Sequence, residues 1–493
     1  MTSEAEDAVI VQIGRGPTGT ALARQLLPGL PAGTRYVVVD RDPAATRLPF
    51  GTPEPTHLIN TRAAKSSLNL ADPDEFQRWL TDQAAAAGQP VAEFPARALF
   101  GRYVRDMFDQ AVQDATAAGV VLDVVVDEAI RVAVGDTRRW RVECASGRVL
   151  AADRVAICVG MLPQSDRFPD LVGVPGYFAD PWELPALPDD ARVAVLGTRL
   201  TAIDTALTLA ARGHTGPVLL ASRSGRLPRL RGPETTAPIP HVEQCMQRAV
   251  DAGMLRLVDF GRALMADIAA ASTEPPDWSE VRDCGPTTRA MLEHELAGLD
   301  GGIERGWQQV VNGASPMLLP AWQLLVEQDR TEFFAEWLTP LLVHGAPIPP
   351  ETARRVLAAM GAGRLRVFGG LHAVERVDHG FAIHLDGTTE FADVVINATG
   401  AGTDIAALRT QPVLAGLLDD GLLTAHPHGG VRIEVSTFEP LDAFGAPVRG
   451  IYVVGDLVRG AVLVTNDVIA LSFQAALVAT AMRANDEAGV HIS

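Results

Sequence analysis

Short apolar runs ending in glycine turns alternate along this chain with stretches whose apolar positions recur at helical spacing. Ala8-Val9-Ile10-Val11-Gln12-Ile13 reads as a buried strand, and Gly14-Arg15-Gly16-Pro17-Thr18-Gly19 follows it at once. Ala21 to Leu27 then has the spacing of a helix, Pro31-Ala32-Gly33 reads as a turn, and Tyr36-Val37-Val38-Val39 as a second strand ending in Asp40. Strand, glycine turn, helix, strand and acid together predict a βαβ unit. Helical patterns over Asp74 to Ala86 and Leu99 to Ala118 precede predicted strands at Val120 to Val126, Arg131 to Val134, Trp140 to Cys144 and Val155 to Val159.

The stretch from Met161 to Asp190, rich in Pro and Asp, reads as a connector. A second βαβ unit follows: strand Val193 to Leu196, turn Gly197 to Ala202, helix Ile203 to Ala211, and strand Val218 to Ala221 ending in Ser222-Arg223. From about 240 to 340 the pattern is mostly helical, with Trp307, Trp322 and Trp337 along it. Strand character returns over Arg364 to Val377 and Phe381 to Leu385. Val394 to Gly400 and Ile451 to Asp456 are buried strands running into glycine turns, and Asp467 to Met482 is the final helix.

The expected fold class is therefore α/β, with two Rossmann-like dinucleotide-binding domains and a helical insertion. The expected divisions are a first domain over 1–160 and 391–493, a smaller NAD(P)-type domain over 161–240 and 345–390, and the insertion over 241–344. The insertion is expected to roof the substrate pocket, since pockets favour domain junctions.

The first glycine turn carries the clearest chemistry. Gly14 makes the tight turn, Gly16 lets the backbone approach a pyrophosphate, and Gly19 lets helix and strand pack closely. The phosphates would sit at the helix N-terminus, where free N–H groups and the helix dipole favour negative charge. Arg15 and Thr18 line the same turn, and Pro17 fits the first helical turn because no N–H is needed there. Asp40 is expected to accept hydrogen bonds from the adenosine ribose. The second turn departs from this pattern, because Arg199 stands where its second glycine would be. A side chain there obstructs backbone approach, whereas its guanidinium could pair with a phosphate. Ser222-Arg223 replaces the ribose-binding acid, which favours a 2'-phosphate and so NADPH over NADH. A degenerate Rossmann unit kept as scaffold is the alternative. Near the C-terminus, Gly455-Asp456 follows a buried strand and Thr465-Asn466 precedes the last helix as an N-cap pair would.

Length and composition bound the rest. At 493 residues the chain is long enough for two or three cores, and 47% hydrophobic and 21% charged residues suit a globular protein. A net charge of -18 argues against a nucleic-acid partner. No run is apolar enough for a membrane span and no secretion signal is evident, so the expected location is cytoplasmic. Cys144, Cys158, Cys245 and Cys284 form no C-x-x-C pair and have no histidine at metal-ligand spacing. No metal site is expected, and the thiols read as free. Lys65 is the only lysine in the chain.

The glycine turn, His57-Leu58-Ile59-Asn60 running to Asp72-Pro73-Asp74 and Trp79-Leu80, Leu99 to Tyr103, Phe178 to Trp182, Gly197 to Asp204, Gly213-His214 with Ser222-Arg223 and Leu227-Pro228, and Tyr452 to Gly460 carry a family resemblance. The chain resembles the FAD/NAD(P)-binding flavoprotein monooxygenases, the group that includes an FAD-dependent urate hydroxylase and an aspartate N-monooxygenase. The resemblance covers most of the chain apart from portions of the helical insertion.

It implies that FAD is held by both chain ends, that NADPH reduces it, and that O2 supplies an oxygen atom to a small polar substrate. An amino-acid-like molecule hydroxylated on nitrogen is one such substrate. It implies that Asp456 reaches the ribityl chain or phosphates of FAD, and that Arg102 lies near its phosphates. The stretch holding Lys65 would pass beside the flavin ring, where the ammonium would bind a substrate carboxylate or the flavin edge. His57 and Asn466 are further candidates at the flavin. Surface exposure for Lys65 and Arg102, packing for His57 and plain capping for Thr465-Asn466 are the alternatives. An NADPH-independent flavin oxidase or other non-oxygenating flavoenzyme, and a non-catalytic FAD-containing binding protein, also remain open. The oligomeric state has no signature in the sequence.

Overall fold

A computed structural model of the protein describes residues 7–42, 49–163, 166–272, 285–303, 305–465 and 467–488. The chain forms two compact units: Met1–Pro55 with Thr61–Ser165 and Ala401–Ser493, and Thr56–Asn60 with Asp166–Gly400.

The first unit is built on a five-stranded sheet in the order Ile451–Val453, Arg154–Ile157, Val9–Ile13, Arg35–Asp40, Val121–Val126, with every pair parallel. Inner strands of such a sheet are covered on both faces, which is why Val9–Ile13 and Arg154–Ile157 are nearly continuous buried runs. The order reverses direction between Val9–Ile13 and Arg154–Ile157. That reversal opens a crevice at the strands' carboxyl ends, where ligands of such sheets bind. The helix Pro17–Leu26 leaves the first strand at this point and packs against the C-terminal helix Val468–Ala488. A three-stranded antiparallel sheet, Ala129–Val134, Trp140–Cys144 and Val149–Ala152, leads directly into Arg154–Ile157.

The second unit repeats the plan. Its parallel sheet has the order Leu365–Phe368, Val218–Ala221, Val193–Leu196, Val394–Asn397, Tyr177–Phe178. The helix Leu200–Ala211 follows its central strand. A second antiparallel meander, Ala373–Val377, Gly380–Leu385 and Thr388–Ala392, leads into Val394–Asn397. This corrects one expectation: the strand Val394–Asn397, expected in the C-terminal part of the first domain, pairs with Val193–Leu196. A buried strand ending in a glycine turn is common to both units, so its pattern does not say which sheet it joins.

The predicted helical stretch is helical. It includes Pro240–Ala252, Leu257–Ala271, Arg289–Asp300, Gly306–Ala314 and Leu338–Gly345, and it belongs to the second unit. Two carboxylates from neighbouring helices tie it together. Asp267 accepts from the N–H groups of His241 and Val242 at the start of Pro240–Ala252. Asp329 accepts from Leu257 N–H at the start of Leu257–Ala271. No helix among the described residues is long and apolar enough to cross a membrane.

Candidate dinucleotide sites

In the first unit, Gly14 has φ +96°, and a Cβ there would lie 2.4 Å from the Cys158 carbonyl oxygen just past the adjacent strand Arg154–Ile157. A Cβ on Gly19 would lie 2.1 Å from the Gly14 carbonyl oxygen. Both glycines are required by the protein's own packing. Gly16 differs. It is the N-cap of the helix, its φ of -63° suits any residue, and a Cβ built on it meets nothing within 4 Å. The fold would accept a side chain here, so the opening is free for a ligand. It lies at a helix N-terminus, where the first N–H groups have no intrahelical acceptor. A diphosphate fits this cradle.

Asp40 ends the second strand. Its Oδ2 accepts from Arg15 N–H at 2.7 Å and its Oδ1 from Asp42 N–H at 2.8 Å, so it fastens the turn to the strand end. A carboxylate has about four acceptor positions, which leaves room for a ribose. Pro17 opens the helix, and the Arg15 guanidinium lies over the Phe108 ring.

The C-terminal segment comes to the same place. Gly455 has φ +89°, and a Cβ there would lie 2.9 Å from Thr18 Oγ1. Its N–H donates to Gln474 Oε1 at 3.0 Å, and Gln474 Nε2 is buried with no partner among the described residues. Such an orphaned donor is the kind of group a bound ligand satisfies. Asp456 Oδ1 accepts from Arg459 Nη2 at 2.8 Å and Thr465 Oγ1 at 2.7 Å. Thr465 therefore serves Asp456 and is not the cap of the last helix. That cap is Asp467, whose Oδ1 accepts from Ile469 and Ala470 N–H. Both residue types cap well, and the helix simply starts later than the pattern suggests. Asn466 lies outside the described residues.

Two further first-unit candidates are exposed. Lys65 is exposed at the end of the short turn Ala63–Lys65. Arg102 is exposed on the helix Arg97–Ala117, where it donates to Gln83 Oε1 at 2.6 Å and lies over the Trp79 ring. His57 belongs to the second unit. Buried there, its Nε2 lies 2.7 Å from Thr208 Oγ1 on the helix Leu200–Ala211, and its ring meets Trp182 edge-on. That is the geometry of a packed histidine. Cys144, Cys158 and Cys245 are buried and free, and burial pushes the Cys158 thiol up to about 12, so it stays protonated at neutral pH. Cys284 lies outside the described residues.

The second turn follows the first closely. Gly197 has φ +128°, and a Cβ there would lie 2.5 Å from the Ala398 carbonyl oxygen. Gly197 N–H donates to Ala221 O, as Gly14 N–H donates to Val39 O. Arg199 is the helix N-cap, the position that Gly16 holds in the first unit. Its Nη2 lies 3.4 Å from Thr339 Oγ1 of the helical segment, and its Nη1 is buried without a partner among the described residues.

Burial, and then the nearby charge of Arg223, pushes the Arg199 guanidinium down to about 10. Burial and the same Arg223 lower Arg167. The charge of Arg223 thus reaches both Arg199 and Arg167 and, after burial, disfavours each of them. An anion would relieve this. Ser222 closes the turn with its Oγ 2.9 Å from Thr198 Oγ1, and it accepts from Gly225 N–H at 2.9 Å. No sequence pattern marks Arg167, which lies in the connector.

Comparisons with known proteins bear on the fold that carries these turns. Residues 11–162 match a family model described as FAD-NAD(P)-binding. No curated protein matches the sequence. Among solved structures the chain is similar to the ornithine hydroxylase PvdA of Pseudomonas aeruginosa, at 13% identity and TM-score 0.53, over 96% of this chain and 99% of that one. It is similar to the ornithine N-hydroxylase KtzI of Kutzneria sp. 744, solved with reduced FAD, NADP+ and L-ornithine, at 15% identity and TM-score 0.53, over 97% and 100%. It is also similar to the FAD-bound cadaverine monooxygenase DfoA of Erwinia amylovora, at 13% identity and TM-score 0.52, over 96% and 94%. The two-dinucleotide-domain fold is common to all of them.

Proposed function

We propose that this chain, which carries an FAD-NAD(P)-binding segment over residues 11–162 within the two-dinucleotide-domain fold, is an FAD-dependent monooxygenase that hydroxylates a small polar metabolite using NADPH and O2. The observation that carries the reading is the opening at Gly16, a helix N-cap where the protein has room for a side chain and has none. The similar structures act on ornithine and cadaverine, and this supports a primary amine as substrate and nitrogen as the atom hydroxylated.

FAD, when bound, supplies the hydride acceptance and the oxygen chemistry. The turn Gly14 to Gly19 and the helix end at Thr18 would hold its diphosphate. Asp40 would take the adenosine ribose, and Asp456, steadied by Arg459 and Thr465, the ribityl side. Arg199, Arg223 and Arg167 would hold the phosphates of NADPH, with the 2'-phosphate as the group that rewards three cations. Lys65 remains a candidate for a substrate carboxylate.

The test is anaerobic titration of purified, FAD-reconstituted protein with NADPH, followed by oxygen uptake with a panel of amino acids and diamines. Bleaching of the yellow colour by NADPH, and hydroxylamine product with one amine, are expected. Protein that takes up no FAD would sink the reading. Yellow protein that NADPH leaves unbleached, but that a substrate bleaches, would replace it with a flavin oxidase.

A further inference from the structure

A buried polar pair lies beneath the first glycine turn. Gln12 and Tyr36 are both 0% exposed, on adjacent strands of a parallel sheet. Tyr36 donates its hydroxyl hydrogen to Gln12 Oε1 at 2.5 Å, and Gln12 Nε2 donates to the Gly14 carbonyl oxygen at 2.8 Å. The peptide joining Gly14 to Arg15 is therefore held on both sides. Its carbonyl is turned inward to Gln12, and its N–H is taken by Asp40 at 2.7 Å. The space for the glutamine amide comes from Gly19, since a Cβ there would lie 2.7 Å from Gln12 Nε2.

The second unit serves as an internal comparison. Aligned on Gly197, the positions of Gln12, Tyr36 and Gly19 are held by Val195, Val218 and Ala202. Where no amide needs the space, alanine replaces the third glycine. The polar pair is thus no general requirement of this fold, and burying it without return would cost stability.

We propose that Gln12, supported by Tyr36, is a positioning residue for FAD, building on the flavin reading above. A peptide flip at Gly14–Arg15 would turn a carbonyl oxygen toward the diphosphate, where its dipole repels the anion. Gln12 keeps that carbonyl inward, so the turn presents N–H groups alone. Tyr36 fixes which end of the Gln12 amide faces Gly14, because a hydroxyl that donates to Oε1 leaves Nε2 for the carbonyl.

The experiment uses the full-length apo-protein and its Gln12→Met, Tyr36→Phe and Gln12→Met/Tyr36→Phe variants. FAD affinity is read by flavin fluorescence quenching, thermal stability by melting, and second-unit integrity by 2',5'-ADP binding. Gln12→Met leaves the Tyr36 hydroxyl buried and unpaired, and is expected to lower both stability and FAD affinity, the latter on the order of tenfold. The double variant removes the stranded hydroxyl and is expected to regain stability over Gln12→Met while FAD affinity stays low. Tyr36→Phe keeps the Gln12 donor and is expected to bind FAD within about threefold of wild type. All variants are expected to bind 2',5'-ADP as wild type does. FAD affinity that recovers with melting temperature in the double variant would mark a purely structural pair and overturn the proposal alone. Wild-type protein without FAD affinity would overturn the flavin reading and this proposal together.

Discussion

Gly16 and Arg199 hold the same position in two copies of one motif, each an N-cap with negative φ, and they differ only in what the side chain does to the space beyond. Gly16→Val is expected to fold, with a stability loss confined to roughly 1 kcal/mol from the poorer cap. It is expected to weaken FAD binding by on the order of a hundredfold, since charge-assisted hydrogen bonds of about 1.5–3 kcal/mol are displaced. Titration of apo-protein checks this, and wild-type affinity would show that no diphosphate lies over Gly16. Arg199→Gly makes the second turn look like the first. Its expected result is a tenfold or larger loss of NADPH affinity with FAD content unchanged, because the charge and not the opening serves that site. The sequence shows both substitutions. It does not show that Arg199 is half-buried with its Nη1 shielded, or that Arg167 in the connector lies within reach of the Arg223 charge.

At the level of elements, the helical segment of the second unit carries a titratable group at its contact with the rest of that unit. His344, on the helix Leu338–Gly345, is pushed down to about 4, first by burial and then by Arg229 and Arg226. Its ring meets Trp307 edge-on. The unfolded chain takes up this proton near pH 6.5 and the folded chain only near 4, so between those values the unfolded state binds more protons. Stability therefore falls as pH drops through that window. His344→Phe keeps a ring against Trp307 and removes the titration. Wild type is expected to lose a few degrees more than the variant between pH 7 and pH 5, by about 2–4 °C. Parallel pH profiles by differential scanning fluorimetry would refute the assignment. The helices themselves were legible from their apolar spacing. Their capping by Asp267 and Asp329 was not, because each carboxylate comes from a different helix.

One plan is used in both units: four parallel strands in matching order, a glycine turn after the central strand, and an antiparallel meander leading into the strand beside it, with only the edge strand taken from a different place in the chain. The proposed reading gives each copy one ligand. FAD-loaded protein is expected to bind one NADP+ per chain by calorimetry without releasing FAD. Competition between the two, or uptake of a second FAD, would contradict separate sites.

The sequence by itself determined the α/β class, both βαβ units, the first glycine turn and the departure at Arg199, because periodicity and glycine placement are local and chemically specific. Only the tertiary structure decided that Val394–Asn397 joins the second sheet, that His57 packs within the second unit, and that Asp467 caps the last helix. It alone revealed that Gln12 and Tyr36 clamp the first turn. Strand partners, buried polar pairs and charge clusters join residues far apart in the chain. Their choice depends on which surfaces meet after folding, and a one-dimensional pattern carries no such distance.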